Sequence, residues 1–235
     1  MEIGNLIDMK YNKLKIISAK DLGHLAMPEF CPHCFWLERH IDKPPGIFPG
    51  IFSTLDSITK RSAHRSFAER GCAPGWLSFF DNLVDVEEGD TYFKLPVERG
   101  WVLTGAPDDI FLLKNGDYHI VDYKTAKFTE KQDELFPLYE IQLNCYAFLA
   151  EKYGYKPVKR LSLVYCQPEK DLNNDDTFEL SFRPYYLDVD LKPEKVFEML
   201  LKAREVVNLD EPPLARESCK GICRWVEGAM DRIGR

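Results

Sequence analysis

Apolar and polar positions change their period several times along the 235-residue chain. Lys13 to Ser18 reads as a short strand or extended arm. Ser18 followed by Asp21 marks a helix start, with the serine as N-cap. Pro28 to Ile41 is aromatic-rich and reads as a helix that Pro44-Pro45-Gly46 and Pro49-Gly50 break. Ile51 to Arg70 contains neither Gly nor Pro, and Phe52, Leu55, Ile58, Ser62, Ala63 and Phe67 fall on one helical face. Gly71 stands where the C′ residue of that helix belongs.

Beyond residue 90 the period shortens towards that of strands. Tyr92 to Val97, Trp101 to Thr104 and Asp109 to Leu113 read as strands. Lys114-Asn115-Gly116-Asp117 carries the Asn-Gly hairpin signal, and Tyr118 to Tyr123 is the returning strand. Glu130 to Lys152 reads as a helix with Leu138, Ile141, Cys145, Phe148 and Leu149 as its apolar stripe. Pro137 is tolerated near its beginning or marks a break. Val158 to Cys166 and Phe178 to Val189 are strands, the second interrupted at Pro184, and Pro193 to Leu209 is a helix. The order predicts an α/β or α+β domain with a central mixed sheet.

Composition narrows the class. Apolar residues make up 45% and charged residues 29%, and there are 15 Phe, 11 Tyr and 4 Trp. Such a chain buries a core without staples, which excludes disordered, collagenous and coiled-coil classes. The net charge of −7 argues against a protein that works by coating nucleic acid, so any such contact is local or helped by bound cations. No run of 18 apolar residues suggests a membrane span, and the N-terminus lacks a signal-peptide core, so a cytoplasmic location is expected. Seven cysteines is a high, odd count for a reducing compartment. Metal binding or apolar packing explains it better than a disulfide framework.

Three segments carry candidate chemistry: Gly105-Ala106-Pro107-Asp108, Asp122-Tyr123-Lys124, and Gln142 with Tyr146 on the following helix. Residues i and i+2 of a strand share a face, so Asp122 and Lys124 lie together with Tyr123 opposite. A carboxylate there can hold a hard divalent cation. An ammonium can orient a water, help deprotonate it and stabilise charge developing on a phosphate. Asp108 can supply a second carboxylate. Gln142 and Tyr146 share a helix face and can brace the lysine or touch a phosphate.

Gly-x-x-Asp, Asp-x-Lys and Gln-x-x-x-Tyr, in this order and at these spacings, resemble the PD-(D/E)xK nucleases of the RecB type, over about residues 15 to 225. The resemblance implies an α/β fold with a restriction-endonuclease-like core, a central mixed β-sheet flanked by helices. It also implies a histidine ligand on an upstream helix, which His64 matches. His64, Asp108 and Asp122, with the Tyr123 carbonyl, would hold one or two Mg²⁺ or Mn²⁺ ions. Lys124 would position the water and neutralise the transition state, and Gln142 and Tyr146 would brace Lys124 or the scissile strand. The implied activity is phosphodiester hydrolysis, with single-stranded DNA entered from an end. The implied setting is repair, recombination or CRISPR adaptation, with possible protein partners in such a complex and no membrane. The chain then divides into an N-terminal cysteine-bearing segment (1–48), a nuclease core (49–190) and a C-terminal helix and cysteine tail (191–235) of one domain.

Cys31-Pro32-His33-Cys34 and Cys219-Lys220-Gly221-Ile222-Cys223 flank that core. Four thiolates suit zinc or an iron–sulfur cluster, and spacing alone does not separate them. The CRISPR-associated and AddB-type branch of the resembled family implies a [4Fe–4S] cluster held by one upstream and three C-terminal cysteines. The C-terminal group here has two, spaced by three residues, and Cys34 can supply the missing ligand. Zinc and no metal stay open. Cys145 and Cys166 read as packing residues. Lys60, Arg61, Arg65 and Arg70, and Lys124, Lys127 and Lys131, can contact phosphates or be solvated. Trp36 and Trp76 can stack on bases or belong to the core. The alternative to an enzyme is a silent nuclease-derived module that binds DNA or a protein. The acidity favours it and the intact Asp108, Asp122 and Lys124 oppose it.

Overall fold

The computed structural model describes residues 15–43, 49–87, 91–129, 134–172, 176–217, 219 and 221–232. Lys13, Pro44-Pro45-Gly46, Lys131 and the expected first turn of the 130–152 helix lie outside them. The chain opens with β1 (Ile16–Ser18) and α1 (Ala19–His24). Ser18 Oγ accepts the Asp21 amide at 3.0 Å and so caps α1, as its position predicts. α2 (Pro32–His40) is shorter than the aromatic run suggests, because Pro32 occupies its first turn and Cys31 its N-cap. α3 (Gly50–Arg70) ends at Gly71, whose φ of +67° and bond to the Phe67 carbonyl form a left-handed cap.

Two sheets follow. β2 (Leu83–Val86), β5 (Asp109–Leu113), β6 (Tyr118–Lys124), β7 (Val158–Pro168) and β8 (Phe182–Val189) form a five-stranded sheet in that order. Within this sheet, among the described residues, the β6–β7 pair alone is parallel, and α4 (Phe136–Lys152) makes the crossover between them. β3 (Phe93–Pro96) and β4 (Val102–Gly105) do not join this sheet, although the pattern predicts one central sheet. With β1 they form a separate three-stranded sheet of order β1-β4-β3. The chain therefore turns a corner at residues 106–108, between β4 and β5. Pro184 sits within β8 because β8 is an edge strand, where a missing amide costs no ladder bond on the open side.

The five-stranded sheet is buried on both faces. Ile120, Leu161, Leu163 and Tyr165 face α4, with Leu138, Ile141, Leu143 and Leu149. Val121, Tyr123, Phe111 and Val164 face α3, with Ala63 and Phe67. The α3 stripe is only half used, however. Phe52 and Ile58 are 41% and 50% exposed, so the first half of α3 carries its apolar side outside the core. Pro137 falls in the first turn of α4, where its missing amide is harmless. α5 (Glu194–Val207) packs on α4, and α6 (Ile222–Arg232) follows the last cysteines.

α2 is held down by its own side chains. His33 Nδ1 donates to the Pro213 carbonyl (2.7 Å), Trp36 Nε1 to Leu209 (2.9 Å) and His40 Nε2 to Val207 (2.9 Å). These positions recur along one side of the helix, so α2 is laced to the strand of chain that leaves α5. Trp36 is also stacked on His40, at 4.0 Å between ring centres. That ring serves the α2 dock.

Candidate active site and cysteine centre

The corner between the sheets places Asp108. The Tyr123 amide donates to Asp108 Oδ2 at 2.7 Å, and Lys60 Nζ of α3 lies 2.6 Å from Asp108 Oδ1. Asp122, 2% exposed, sits on the neighbouring strand β6 and forms a close ion pair with Lys124, two residues on and on the same face. Lys124 Nζ also stands 4.6 Å above the centre of the Tyr139 ring of α4, a cation–π contact. On the same helix Gln142 Nε2 donates to the Tyr146 hydroxyl at 2.6 Å.

The electrostatics follow from this crowding. Burial, and then the Asp122 charge, push the Asp108 carboxyl up to about 7, against the pull of Lys60 and Lys124. Burial works against the Lys124 ammonium, yet Asp122 and Asp108 outweigh it and hold its pKa above the ordinary lysine value. Burial and the nearby Asp122 likewise raise the Tyr146 phenol, so it stays neutral. The donor set is two carboxylates, Asp122 buried and Asp108 partly so, each drawing an ammonium to itself. Such hard oxygens in mutual repulsion suit a divalent cation of the Mg²⁺ or Mn²⁺ kind.

Gly105, the first residue of the Gly-x-x-Asp segment, has a packing role. A Cβ there would lie 2.8 Å from Leu149 Cδ1 and 3.0 Å from the Tyr146 ring. Glycine lets α4 approach the end of β4 and carry Gln142 and Tyr146 towards the carboxylates.

His64 meets a neighbouring carboxylate, Asp109. Its Nε2 donates to Asp109 Oδ1 at 2.7 Å, and the Tyr123 hydroxyl donates to the other Asp109 oxygen. Asp109 is 1% exposed and pairs with Val121 across β5 and β6, so it faces α3. His64 and Tyr123 therefore meet on the α3 side, while Asp122 and Lys124 face α4. Among the described residues, His64, Asp108 and Asp122 do not bring three ligand atoms within 4.8 Å of one another. A carboxylate that holds one imidazole nitrogen is nonetheless the usual way a metal-binding histidine is oriented.

Asp109 is the residue that sequence reasoning missed. The signal was present: Asp109, Phe111 and Leu113 alternate on one face, and an acid heading a buried face needs partners. Tyr139 was missed also. Arg61, Arg65 and Lys127 are exposed, as phosphate contacts or solvated charges are, whereas Lys60 and Arg70 are engaged with Asp108 and Ser66. Trp76 packs edge-on against Tyr123 and donates to Ser62, so it belongs to the protein interior face.

The four cysteines form a second centre. Cys31, Cys34, Cys219 and Cys223 are all buried, and their sulfurs lie within 4.8 Å of one another, close enough to bind a metal. Cys145 is fully buried in the core, Cys166 is partly buried and Cys72 is exposed.

The family model described as PD-(D/E)XK nuclease superfamily matches residues 53–231. Among curated proteins nothing matches the chain. Solved structures similar to it include the following two. The crystal structure of SSO0001 is 15% identical, over 89% of this chain and 88% of that one, with a TM-score of 0.47. The alkaline exonuclease LHK-Exo from Laribacter hongkongensis is 12% identical, over 97% and 99%, with a TM-score of 0.41. At these scores neither likeness adds to the family match.

Proposed function

The chain belongs to the PD-(D/E)XK nuclease superfamily, and from that membership we propose that it is a metal-dependent DNA nuclease, an exonuclease on single-stranded DNA. The observation that carries this reading is the pairing of Asp108, partly buried at the sheet corner, with the buried Asp122 of β6, and Lys124 on the same strand face as Asp122. Members of the superfamily use divalent metals. Here Asp108 and Asp122, with the Tyr123 carbonyl and His64, would hold one or two Mg²⁺ or Mn²⁺ ions. A bound ion of this kind lowers the pKa of a water and offsets charge on the phosphate.

The remaining steps belong to the protein. Lys124, kept protonated by Asp122, is a donor rather than a base. It orients the attacking water and stabilises the charge that develops on the phosphoryl oxygens. Asp122 fixes the ammonium, and Tyr139 covers it from α4. Gln142 and Tyr146, bonded to each other and neutral, brace that wall of the site. Arg61, Arg65 and Lys127 supply backbone phosphate contacts on a chain whose net charge is −7.

Single-strandedness, entry from an end, and a setting in repair, recombination or CRISPR adaptation with protein partners rest on the RecB-like motifs. A cytoplasmic location goes with that setting. Among the described residues, no helix is long and apolar enough to cross a membrane. The test uses single- and double-stranded oligonucleotides labelled at either end, with Mg²⁺, Mn²⁺ or a chelator. The expected result is chelator-sensitive release of short products from single strands, lost in Asp122→Asn. DNA binding with no cleavage under any metal would point instead to the silent module.

A further inference from the structure

The cysteine centre is separate from the carboxylates and carries an argument of its own. Cys31 and Cys34 are at C-x2-C spacing at the start of α2. Cys219 and Cys223 are at C-x3-C spacing, spanning the start of α6. Both spacings are those by which paired cysteines grip one zinc ion.

The sulfur geometry is more discriminating than the spacing. Sγ–Sγ distances are 3.0 Å for Cys219–Cys223, 3.3 Å for Cys34–Cys223, 3.5 Å for Cys34–Cys219 and 3.8 Å for Cys31–Cys223. Four thiolates at about 2.3 Å from one tetrahedral ion stand about 3.8 Å apart. A [4Fe–4S] cluster binds each thiolate to a different iron and holds the sulfurs about 6 Å apart or more. The observed cage, at 3.0–3.8 Å between these sulfurs and with every ligand atom within 4.8 Å of the others, is as compact as the first or tighter, and is too small for the second. The cluster implied by the RecB-like resemblance therefore does not fit these residues.

The backbone is shaped to the small cage too. The Gly221 amide points at Cys219 Sγ at 3.3 Å, the kind of outer hydrogen bond that tunes a thiolate ligand. A Cβ on Gly221 would lie 3.2 Å from Cys34 Sγ and 3.4 Å from Cys219 Sγ. No side chain is accommodated there without moving the sulfurs.

We propose that Cys31, Cys34, Cys219 and Cys223 hold a single zinc ion in a closed tetrahedral site that fastens α2 to the C-terminal helix. Zinc is favoured over a lone ferrous ion, which shares the geometry, because it binds a given site more tightly. Four protein ligands leave no open position, so the site is structural and takes no part in hydrolysis. It completes the lacing of α2 already made by His33, Trp36 and His40, and adds a link between residues 192 apart in sequence.

The test is metal content and ligand geometry of the full chain, expressed with both iron and zinc supplied and purified without air. The expected protein is colourless, with one zinc per chain and no acid-labile sulfide. Its zinc X-ray absorption should show a single shell of four sulfurs at about 2.3 Å and no metal–metal scattering. Cys34→Ser and Cys219→Ser should each lower zinc content at least about tenfold and lower the melting temperature. If those variants do not fold, cobalt substituted into the wild type supplies the reading, through thiolate charge-transfer bands of a tetrahedral site. A brown protein with iron and sulfide in equal amounts, iron alone, zinc bound through nitrogen or oxygen, or no metal would each overturn the assignment.

Discussion

Gly105 and Tyr146 meet with no room for a side chain between them: a Cβ on the glycine would lie 3.0 Å from the ring. Two sequence segments, Gly-x-x-Asp and Gln-x-x-x-Tyr, are thus two sides of one contact between residues 41 positions apart. The glycine is there so that the helix can come close, and the close helix is what sets Tyr146 beside Asp122.

Gly105→Ala should therefore act as an overpacking change. Leu149 Cδ1, only 2.8 Å from the added carbon, and the Tyr146 ring would both have to shift. Overpacking of this kind costs about 1–3 kcal/mol. Urea unfolding should show the loss, and the displaced Tyr146 should reduce cleavage beyond the change in folded fraction. Wild-type stability in this variant would mean the helix can retreat freely.

Lys124→Gln removes the charge that Asp122 and Asp108 hold in place. With the donor near the reacting phosphate gone, cleavage should fall by at least about 10²-fold. Lys124→Arg should recover only part, because a planar fork does not reproduce a compact ammonium. Single-turnover cleavage, with circular dichroism to confirm folding, reads this out. Near-normal rates in Lys124→Gln would remove Lys124 from the mechanism.

Much of this arrangement was legible in the sequence, and the gaps have physical causes. Ser18 and Gly71 announce helix ends through local bonds that involve only neighbouring residues, so both were readable. The Asp122–Lys124 face follows from strand parity alone. The split of β3 and β4 into a second sheet was not readable, because partner choice is a long-range property and both sheets ask the same alternation of a strand. β2 and α6 were too short, or too close to the cysteines, to register by pattern. The half-exposed face of α3 has the same apolar period as a buried one. Asp109 was hidden by its neighbour: two adjacent acids satisfy one motif, and only parity with Phe111 and Leu113 shows which one turns towards His64.

Asp109→Asn tests that pairing. The amide can accept from Tyr123 or from His64 through its one oxygen, but its nitrogen then opposes the other donor. If His64 is a cation ligand oriented by Asp109, the Mn²⁺ concentration for half-maximal cleavage should rise about 10–100-fold, the usual effect of losing an orienting carboxylate. The rate at saturating Mn²⁺ should change less. His64→Ala should show the same shift, and the double variant should add little to either. An unchanged metal titration in all three would make the pair a purely structural one.

The last expectation concerns acid stability and lies away from the site. His119 on β6 is fully buried, and its Nε2 is 2.9 Å from Ser162 Oγ. Ser162 gives its own hydroxyl hydrogen to Asp188 at 2.7 Å, so the imidazole is the donor to Ser162. Phe80 covers the ring edge-on. Burial, and then the charge of Arg160, push the His119 pKa down to about 3, with Asp188 opposing. In the unfolded chain the same group titrates near about 6.5. Because the folded pKa is the lower one, the contribution is complete above about pH 6.5 and is lost as pH falls towards 3. In that window the unfolded chain holds one more proton at this position, worth about 1.4 kcal/mol per pH unit. His119→Gln keeps a donor for Ser162 and removes the titration. Its unfolding free energy between pH 6 and 4.5 should decline less steeply than that of the wild type, by about that slope. His119 is the one titratable group that differs between the two proteins, so the difference in slope reports on it. Parallel curves for the two proteins would show that the ring is charged in the folded state.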